Sequence, residues 1–415
     1  LRLLIQVLDL LKNRMATIVA TAGVKQVLSG VTAPTQPIVS SSSITSSGFT
    51  LTWTGGNNAT SYTYSGATPT TDNGVASKTA IFTGLSSGTT YTVTVTAVNA
   101  VGSTASAPIS VTPRFPTGVT TIAGQVGVFG SAVGTGTQNT FSAPLDGSVD
   151  SSGNIYISNT YAHCITKLTP TTYVGSIFSG ATKLAGNAEG TSTTATFNFP
   201  GGSCIYDGFL YVCDGGSGYI RKVSLTNGSV TNFSITAAAN SYITSDGTGT
   251  FYYTNIGNGI IYRITSTGTV TTYATAAQTG GTSTGLGGIA YNTANGDIYY
   301  ADRRSGSGTS FIKRITTGKV SSTVDSSLSF PSGIKFSPDN TAIYYVVTNQ
   351  HIIKRFIIGG AVSLVTGINN TIGSTNSTTL TSATYKNPYS LAFDPSGLFF
   401  YVMDQGNPLI RRVVF

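Results

Sequence analysis

The chain has 415 residues, only 9% of them charged, with 22 Lys and Arg against 14 Asp and Glu for a net charge of +8. Ordinary soluble proteins carry about 25% charged residues. Here Ser, Thr, Gly and Asn fill the gap, and 22 Tyr and 19 Phe supply the core. The balance disfavours a cytosolic enzyme, the lack of a dense basic run disfavours nucleic acid, and 3 Cys at irregular spacing exclude a disulfide framework. Gly punctuation, Thr and Tyr enrichment and the lack of long helix-forming runs predict an all-β chain with tight turns.

Residues 1–33 open on "LRLLIQVLDLLKNRM". Leu1, Leu4, Ile5, Leu8 and Leu11 share a helical face. The apolar run is too short, and too interrupted by Gln6 and Asp9, for a membrane span. A tail or a docking helix is expected, and self-assembly through residues 1–33 is one use for it.

Residues 34–113 lie between the Pro-marked boundaries "APTQP" and "VTPRFP". Alternating runs such as "FTLTWT", "SYTYSG" and "TYTVTVTAVNAVG" predict a β-sandwich. Trp53 in "LTWT", with Leu85 and Tyr91 in "GLSSGTTYTVTVTAVNAVG", resembles a fibronectin type III domain. The resemblance implies a buried Trp, a Leu–Tyr corner and a spacer or adhesive role.

Residues 114–415 repeat. Aromatic strands "IYISN", "LYVCD", "FYYTN", "IYYAD", "IYYVVTN" and "FYVMD" are each followed by a basic strand: "ITKL", "IRKV", "IYRI", "IKRI", "IKRF" or "IRRV". A Pro- or Gly-led strand precedes each hairpin, and a "G-x-V" strand follows most of them. Four strands at this period predict radial blades. The pattern resembles NHL repeats, which implies a six-bladed β-propeller. No fourth strand follows "LIRRVVF" at the C-terminal end, whereas "GVTTIAG" at 118–124 stands unpartnered. The two are expected to pair and close the ring. The expected fold is thus a fibronectin type III sandwich plus a six-bladed NHL-like propeller closed by an N-terminal strand.

The first strand of each blade should line the central channel. Its residues include Asp146, Gly202, Tyr242, Gly288, Gly333 and Ser390, then Ser148, Cys204, Thr244, Ala290, Lys335 and Ala392. Related propellers include hydrolases that hold calcium in the channel and lyases that use zinc. One Asp facing one Lys is a poor calcium set, so a solvent-wetted channel of small residues with a polar site at Asp146 and Lys335 is expected, without metal or cofactor. His163 and His351 occupy equivalent turns in blades 1 and 5, too far apart for zinc. A turn at Asp207-Gly208 sets Cys204 opposite Tyr211, and all three Cys are expected to be small buried residues.

The basic strands offer Lys167, Arg221, Lys222, Arg263, Lys313, Arg314, Lys354, Arg355, Arg411 and Arg412. They could form a cationic rim for an acidic partner. Adjacent strand residues point to opposite faces, however, so pairing with the Asx that ends the preceding strand competes with that reading. Asn159, Asp214, Asn255, Asp302, Asn349 and Asp404 are expected to hydrogen-bond turn backbone.

A non-catalytic surface or extracellular protein follows, binding glycan or protein through its rim loops, chiefly 175–196 and 367–384. The alternatives are a secreted hydrolase or lyase with a channel-bound divalent metal, and a structural component of a virion or appendage.

Overall fold

The computed structural model describes residues 31–235, 241–279, 285–303 and 309–415. The expected N-terminal helix lies outside the described residues. The chain divides into two units that meet at Pro116 and Thr117. No helix among the described residues is long and apolar enough to cross a membrane.

The first unit is a two-sheet sandwich. Ile38–Ser42, Phe49–Thr54, Thr79–Phe82 and the short Thr71–Asp72 form one sheet; Ser61–Ser65, Tyr91–Val98, Ser103–Ala105 and Ile109–Val111 form the other. Alternation buries Phe49, Leu51 and Trp53 on one strand against Val93, Val95 and Ala97 from the facing sheet. Trp53 packs edge-on to Tyr62 at 4.8 Å. The Tyr91 hydroxyl accepts the Ser86 N–H at 3.0 Å, fixing the corner expected from the sequence.

The second unit is a six-bladed β-propeller. Each blade is a four-stranded antiparallel sheet, with strands a to d running outwards. The six a strands are Pro144–Val149, Pro200–Tyr206, Tyr242–Ser245, Leu286–Tyr291, Pro331–Phe336 and Ser390–Phe393. Each packs on the next, and the sixth returns to the first, so the ring is closed. Closure is made by Gly118–Gly124, which pairs antiparallel with Leu409–Val414 from Gly124 opposite Leu409 to Gly118 opposite Val414. The fourth strand of the last blade therefore comes from the start of the propeller.

The b strands are almost wholly apolar because both faces are covered by neighbouring blades: Ile155, Tyr156 and Ile157, or Phe400, Tyr401 and Val402, are all buried. Antiparallel connectivity puts the a–b and c–d turns at one end of every blade. The b–c and d–a loops lie at the other. These two ends are called the turn face and the loop face.

Candidate binding surfaces of the propeller

The a strands approach one another too closely for side chains at three glycines. A Cβ on Gly202, Gly288 or Gly333 would lie 2.5 Å from Ser241 O, 2.3 Å from Ser332 O or 2.3 Å from Ser390 Oγ. Much of the channel is therefore packed backbone rather than the wetted bore expected from its small residues. At its centre Asp146 is fully buried. Its Oδ1 accepts Ser390 Oγ at 2.5 Å, and its Oδ2 accepts Ser203 N at 2.7 Å and Lys335 Nζ at 3.3 Å. Lys335 Nζ also donates to Ser203 O at 3.2 Å. The predicted Asp146–Lys335 juxtaposition is thus an ion pair, made across the ring between blades 1 and 5.

On the turn face the channel widens beyond Lys335 into a pocket of about 250 Å³. Ser148, Cys204, Thr244, Lys335 and Ala392 line it, together with Ile205, Ile243, Phe336 and Phe393. Ala290, expected in the same ring, is buried in the core between blades 4 and 5 instead.

The loop-face end is filled by a residue that sequence reasoning missed. Arg303, just past strand b of blade 4, is buried. Its Nε donates to Pro331 O at 2.7 Å, and its two Nη groups reach the Tyr389 and Tyr242 hydroxyls at 3.3 Å. The guanidinium also lies 4.5 Å from the Phe330 ring centre. Burial drives the Tyr242 hydroxyl well above its ordinary pKa, so it serves as a neutral acceptor. One side chain from blade 4 thereby ties blades 3, 5 and 6 together.

The donor set does not suit a channel calcium. Both Asp146 oxygens are engaged by donors, one of them an ammonium, and calcium needs several free oxygen ligands. Among the described residues no group of three or more His, Cys, Asp or Glu converges for a metal.

The basic strands do not form one rim. At the first cationic position Arg221 and Arg411 are fully buried, 3.1 and 3.2 Å from Asp214 and Asp404. Lys313 lies 2.9 Å from Asp302, and Lys354 pairs with Asp325. At the next position the side chains turn to the other face, each directly across from the first Tyr of strand b: Lys167 from Tyr156, Lys222 from Tyr211, Arg263 from Tyr252, Arg314 from Tyr299, Arg355 from Tyr344 and Arg412 from Tyr401. Lys167 sits 5.5 Å over the Tyr156 ring, and Lys222 sits 3.9 Å over Phe209. Arg314 bonds Asp297 and Arg412 bonds Tyr173. Strand alternation therefore splits the cations between a buried set and a half-exposed, Tyr-backed set.

The buried arginines hold the long d–a loops. Arg221 donates to Thr196 O and Ala188 O at 2.8 and 2.7 Å, while Asp214 accepts the Asn198 N–H at 2.7 Å. Arg411 reaches Thr384 O and Thr375 O at 3.1 and 2.9 Å, and Asp404 accepts the Lys386 N–H at 2.8 Å. In blade 1 Asn159 plays the carboxylate's part, accepting Ser142 N–H at 2.6 Å. Asn159, Asp214 and Asp404 thus bond the backbone of a neighbouring loop rather than that of their own turns, whereas Asn255 Oδ1 accepts the Gly257 N–H of its own turn at 2.8 Å as expected. Burial pushes the Asp214 and Asp404 carboxyls up to about 6, against the pull of the arginines and their other hydrogen-bond donors. Each of these loops also folds back on a threonine: Thr140, Thr196 and Thr384 Oγ1 accept the N–H of Ala132, Ala188 and Thr375.

On the loop face His163 and His351 close equivalent 3₁₀ turns with φ of 57° and 60°. Each Nδ1 accepts a backbone N–H from the following d–a loop, Phe199 at 3.2 Å and Asn387 at 3.1 Å. Around His163 three apolar side chains are exposed: Tyr161 64%, Leu184 57% and Phe199 40%. Lys183 N donates to Ala162 O at 2.8 Å, which brings the Leu184 loop beside Tyr161. Tyr161 and Phe199 meet edge to face at 5.8 Å.

Cys164 and Cys213 are buried, and Cys204, half-buried, packs against the core between blades 2 and 3 while also lining the turn-face pocket. It does pair opposite Tyr211 as the turn predicts.

Residues 32–112 match the fibronectin type III domain family model. No curated protein sequence matches the chain. Among solved structures it is similar to an auxiliary nutrient binding protein from Bacteroides ovatus, with 14% identity, TM-score 0.58 and coverage of 91% of this chain and 98% of that one. A Bacteroides thetaiotaomicron auxiliary nutrient binding protein gives 14% identity, TM-score 0.56 and coverage of 92% and 97%. A protein of unknown function from the same species gives 13%, TM-score 0.59 and coverage of 91% and 98%. At this identity the likeness is one of fold.

Proposed function

We propose that the chain is a non-catalytic surface or extracellular binding protein, in which an NHL-like propeller accompanied by a fibronectin type III spacer takes glycan on its loop face. The observation that carries this reading is the edge-to-face pair of Tyr161 and Phe199, left 64% and 40% exposed at one corner of that face, with the exposed Leu184 on a loop joined to Ala162. Three large apolar side chains left exposed together mark an interaction surface. Tyr and Phe rings suit the C–H faces of sugars, and the surrounding Thr- and Asn-bearing loops suit their hydroxyls. The loops are pinned by Arg221 and His163, so the rings are presented with little ordering cost.

Two further points support binding over turnover. Each His spends Nδ1 on a backbone N–H, and Asp146 is engaged by Lys335, Ser203 and Ser390. Solved structures of similar fold include two auxiliary nutrient binding proteins, which agrees with a binding role. Affinity electrophoresis through a panel of soluble polysaccharides tests the proposal. Retardation by at least one polysaccharide, lost in Tyr161→Ala, is expected; free migration through all of them would overturn it.

A further inference from the structure

The pocket at the turn-face end of the channel has a chemistry distinct from the aromatic corner on the loop face. We propose that it is a second binding site, for a small monocarboxylate with an apolar body.

The floor offers donors. Lys335 Nζ carries three N–H groups, and its two protein bonds are long, 3.3 Å to Asp146 and 3.2 Å to Ser203 O. The side chain remains 22% exposed, while its Asp146 partner is fully buried behind it. The third N–H is therefore available on the pocket side. Ser148 and Ser203 Oγ lie 3.0 Å apart, so one hydroxyl hydrogen joins them and the other is spare. The carboxylate beneath them is fully buried and already receives three donors, so the charge the recess presents is the ammonium. A ligand must then bring acceptor oxygens, and a carboxylate matches an ammonium flanked by a hydroxyl better than an alcohol does. A phosphate dianion would face a single cation already half-neutralised by Asp146.

The wall is largely apolar. Ile205, Phe336 and Phe393, from three different blades, contribute to it, with the buried Ile243 behind. A few convergent polar groups at the base of an apolar recess is the general pattern of a small-molecule site. The volume of about 250 Å³ sets the size. Benzene fits a cavity of roughly 150 Å³, so one ring or a short alkyl chain plus the carboxylate can be held. The Arg303 cage blocks the far end of the channel, making the recess blind and its occupant bound rather than conducted.

The test uses the whole chain, with benzoate and phenylacetate as probes and benzyl alcohol and benzylamine as matched controls, by titration calorimetry and ligand-observed NMR. The carboxylates are expected to bind at least about tenfold more tightly than either control, a difference of about 1.4 kcal/mol. Lys335→Met should remove that preference. Ala392→Phe and, as a second filling variant that leaves the ion pair intact, Thr244→Phe should abolish carboxylate binding while a cooperative melt is retained in at least one of them. Equal affinity for alcohol and carboxylate, binding unchanged by filling the recess, or no carboxylate binding at millimolar concentration would each overturn the proposal. Loss of glycan binding in Tyr161→Ala with carboxylate binding intact would show that the two sites stand or fall separately.

Discussion

Arg221 Nη1 lies 3.1 Å from Asp214 Oδ2, and neither side chain is exposed. The same geometry recurs 3.2 Å apart in Arg411 and Asp404, at the equivalent place in blade 6. In each case the guanidinium also holds two carbonyls of the d–a loop, so the pair fastens the loop face to the blade. Removing one partner strands a buried charge. Asp214→Ala or Arg221→Leu is expected to cost about 3–5 kcal/mol in urea unfolding, whereas replacing both with apolar residues should recover part of the loss. Lys222→Ala, one position on and half-exposed, should cost no more than about 1 kcal/mol. Equal costs at 221 and 222 would contradict the assignment of the two cation sets.

The closing strand predicts strong dependence on residues far from the chain end that they join. Gly118–Gly124 buries Val119, Ile122 and Ala123 and covers the edge of Leu409–Val414. Deleting 118–124 uncovers that edge and several apolar side chains, each worth about 1.5–3 kcal/mol when fully buried. The deletion should lower the melting temperature of the propeller sharply and promote association in light scattering. A parent-like melt would contradict closure.

Acid sensitivity should trace to the two histidines. Burial lowers both imidazoles below their ordinary value, and each Nδ1 must stay unprotonated to accept its backbone N–H. In the unfolded chain His titrates near about 6.5. The folded state binds fewer protons in the window below that, so this share of stability is present above about pH 6.5 and is lost as pH falls through the depressed folded value. His163→Asn with His351→Asn keeps an acceptor and tolerates the left-handed backbone but does not titrate. The double variant should lose less stability than the parent between neutral pH and about pH 5. Asp214 and Asp404, raised to about 6, act in the opposite direction, but equally in both proteins. Superimposable pH profiles would refute the imidazole assignment.

Cysteine labelling reads the pocket independently of any ligand. Cys204 alone of the three faces the recess, and burial pushes its thiol up to about 12. Iodoacetamide near neutral pH should therefore label Cys204 slowly and leave Cys164 and Cys213 untouched until denaturant is added. Native labelling of Cys164 or Cys213 ahead of Cys204 would contradict the packing described.

Much of this architecture is legible in the chain because propeller blades repeat one local pattern. The missing fourth strand, the register of Cys204 with Tyr211 and the ring of Ser148, Cys204, Thr244, Lys335 and Ala392 all follow from aligning repeats. The division of the basic pairs follows from strand alternation alone. Arg303 does not, because it stands one residue beyond the Asx of blade 4, where the repeat ends, and its partners come from three other blades. The loop locks were findable: Gly130, Gly186 and Gly373 precede Thr140, Thr196 and Thr384, each followed by Phe or Tyr and, three residues further on, Pro. The Tyr161–Leu184–Phe199 corner was not, since three separate segments build it and nothing periodic marks them.

Glycan binding should depend on the Tyr161–Phe199 corner. The decisive measurement is a glycan array probed with the parent chain and with Tyr161→Ala/Phe199→Ala. The parent should bind a selective set of glycans and the double variant should lose that set, with its melting temperature within a few degrees of the parent. An identical binding pattern for both proteins, or no glycan bound by the parent, would contradict it.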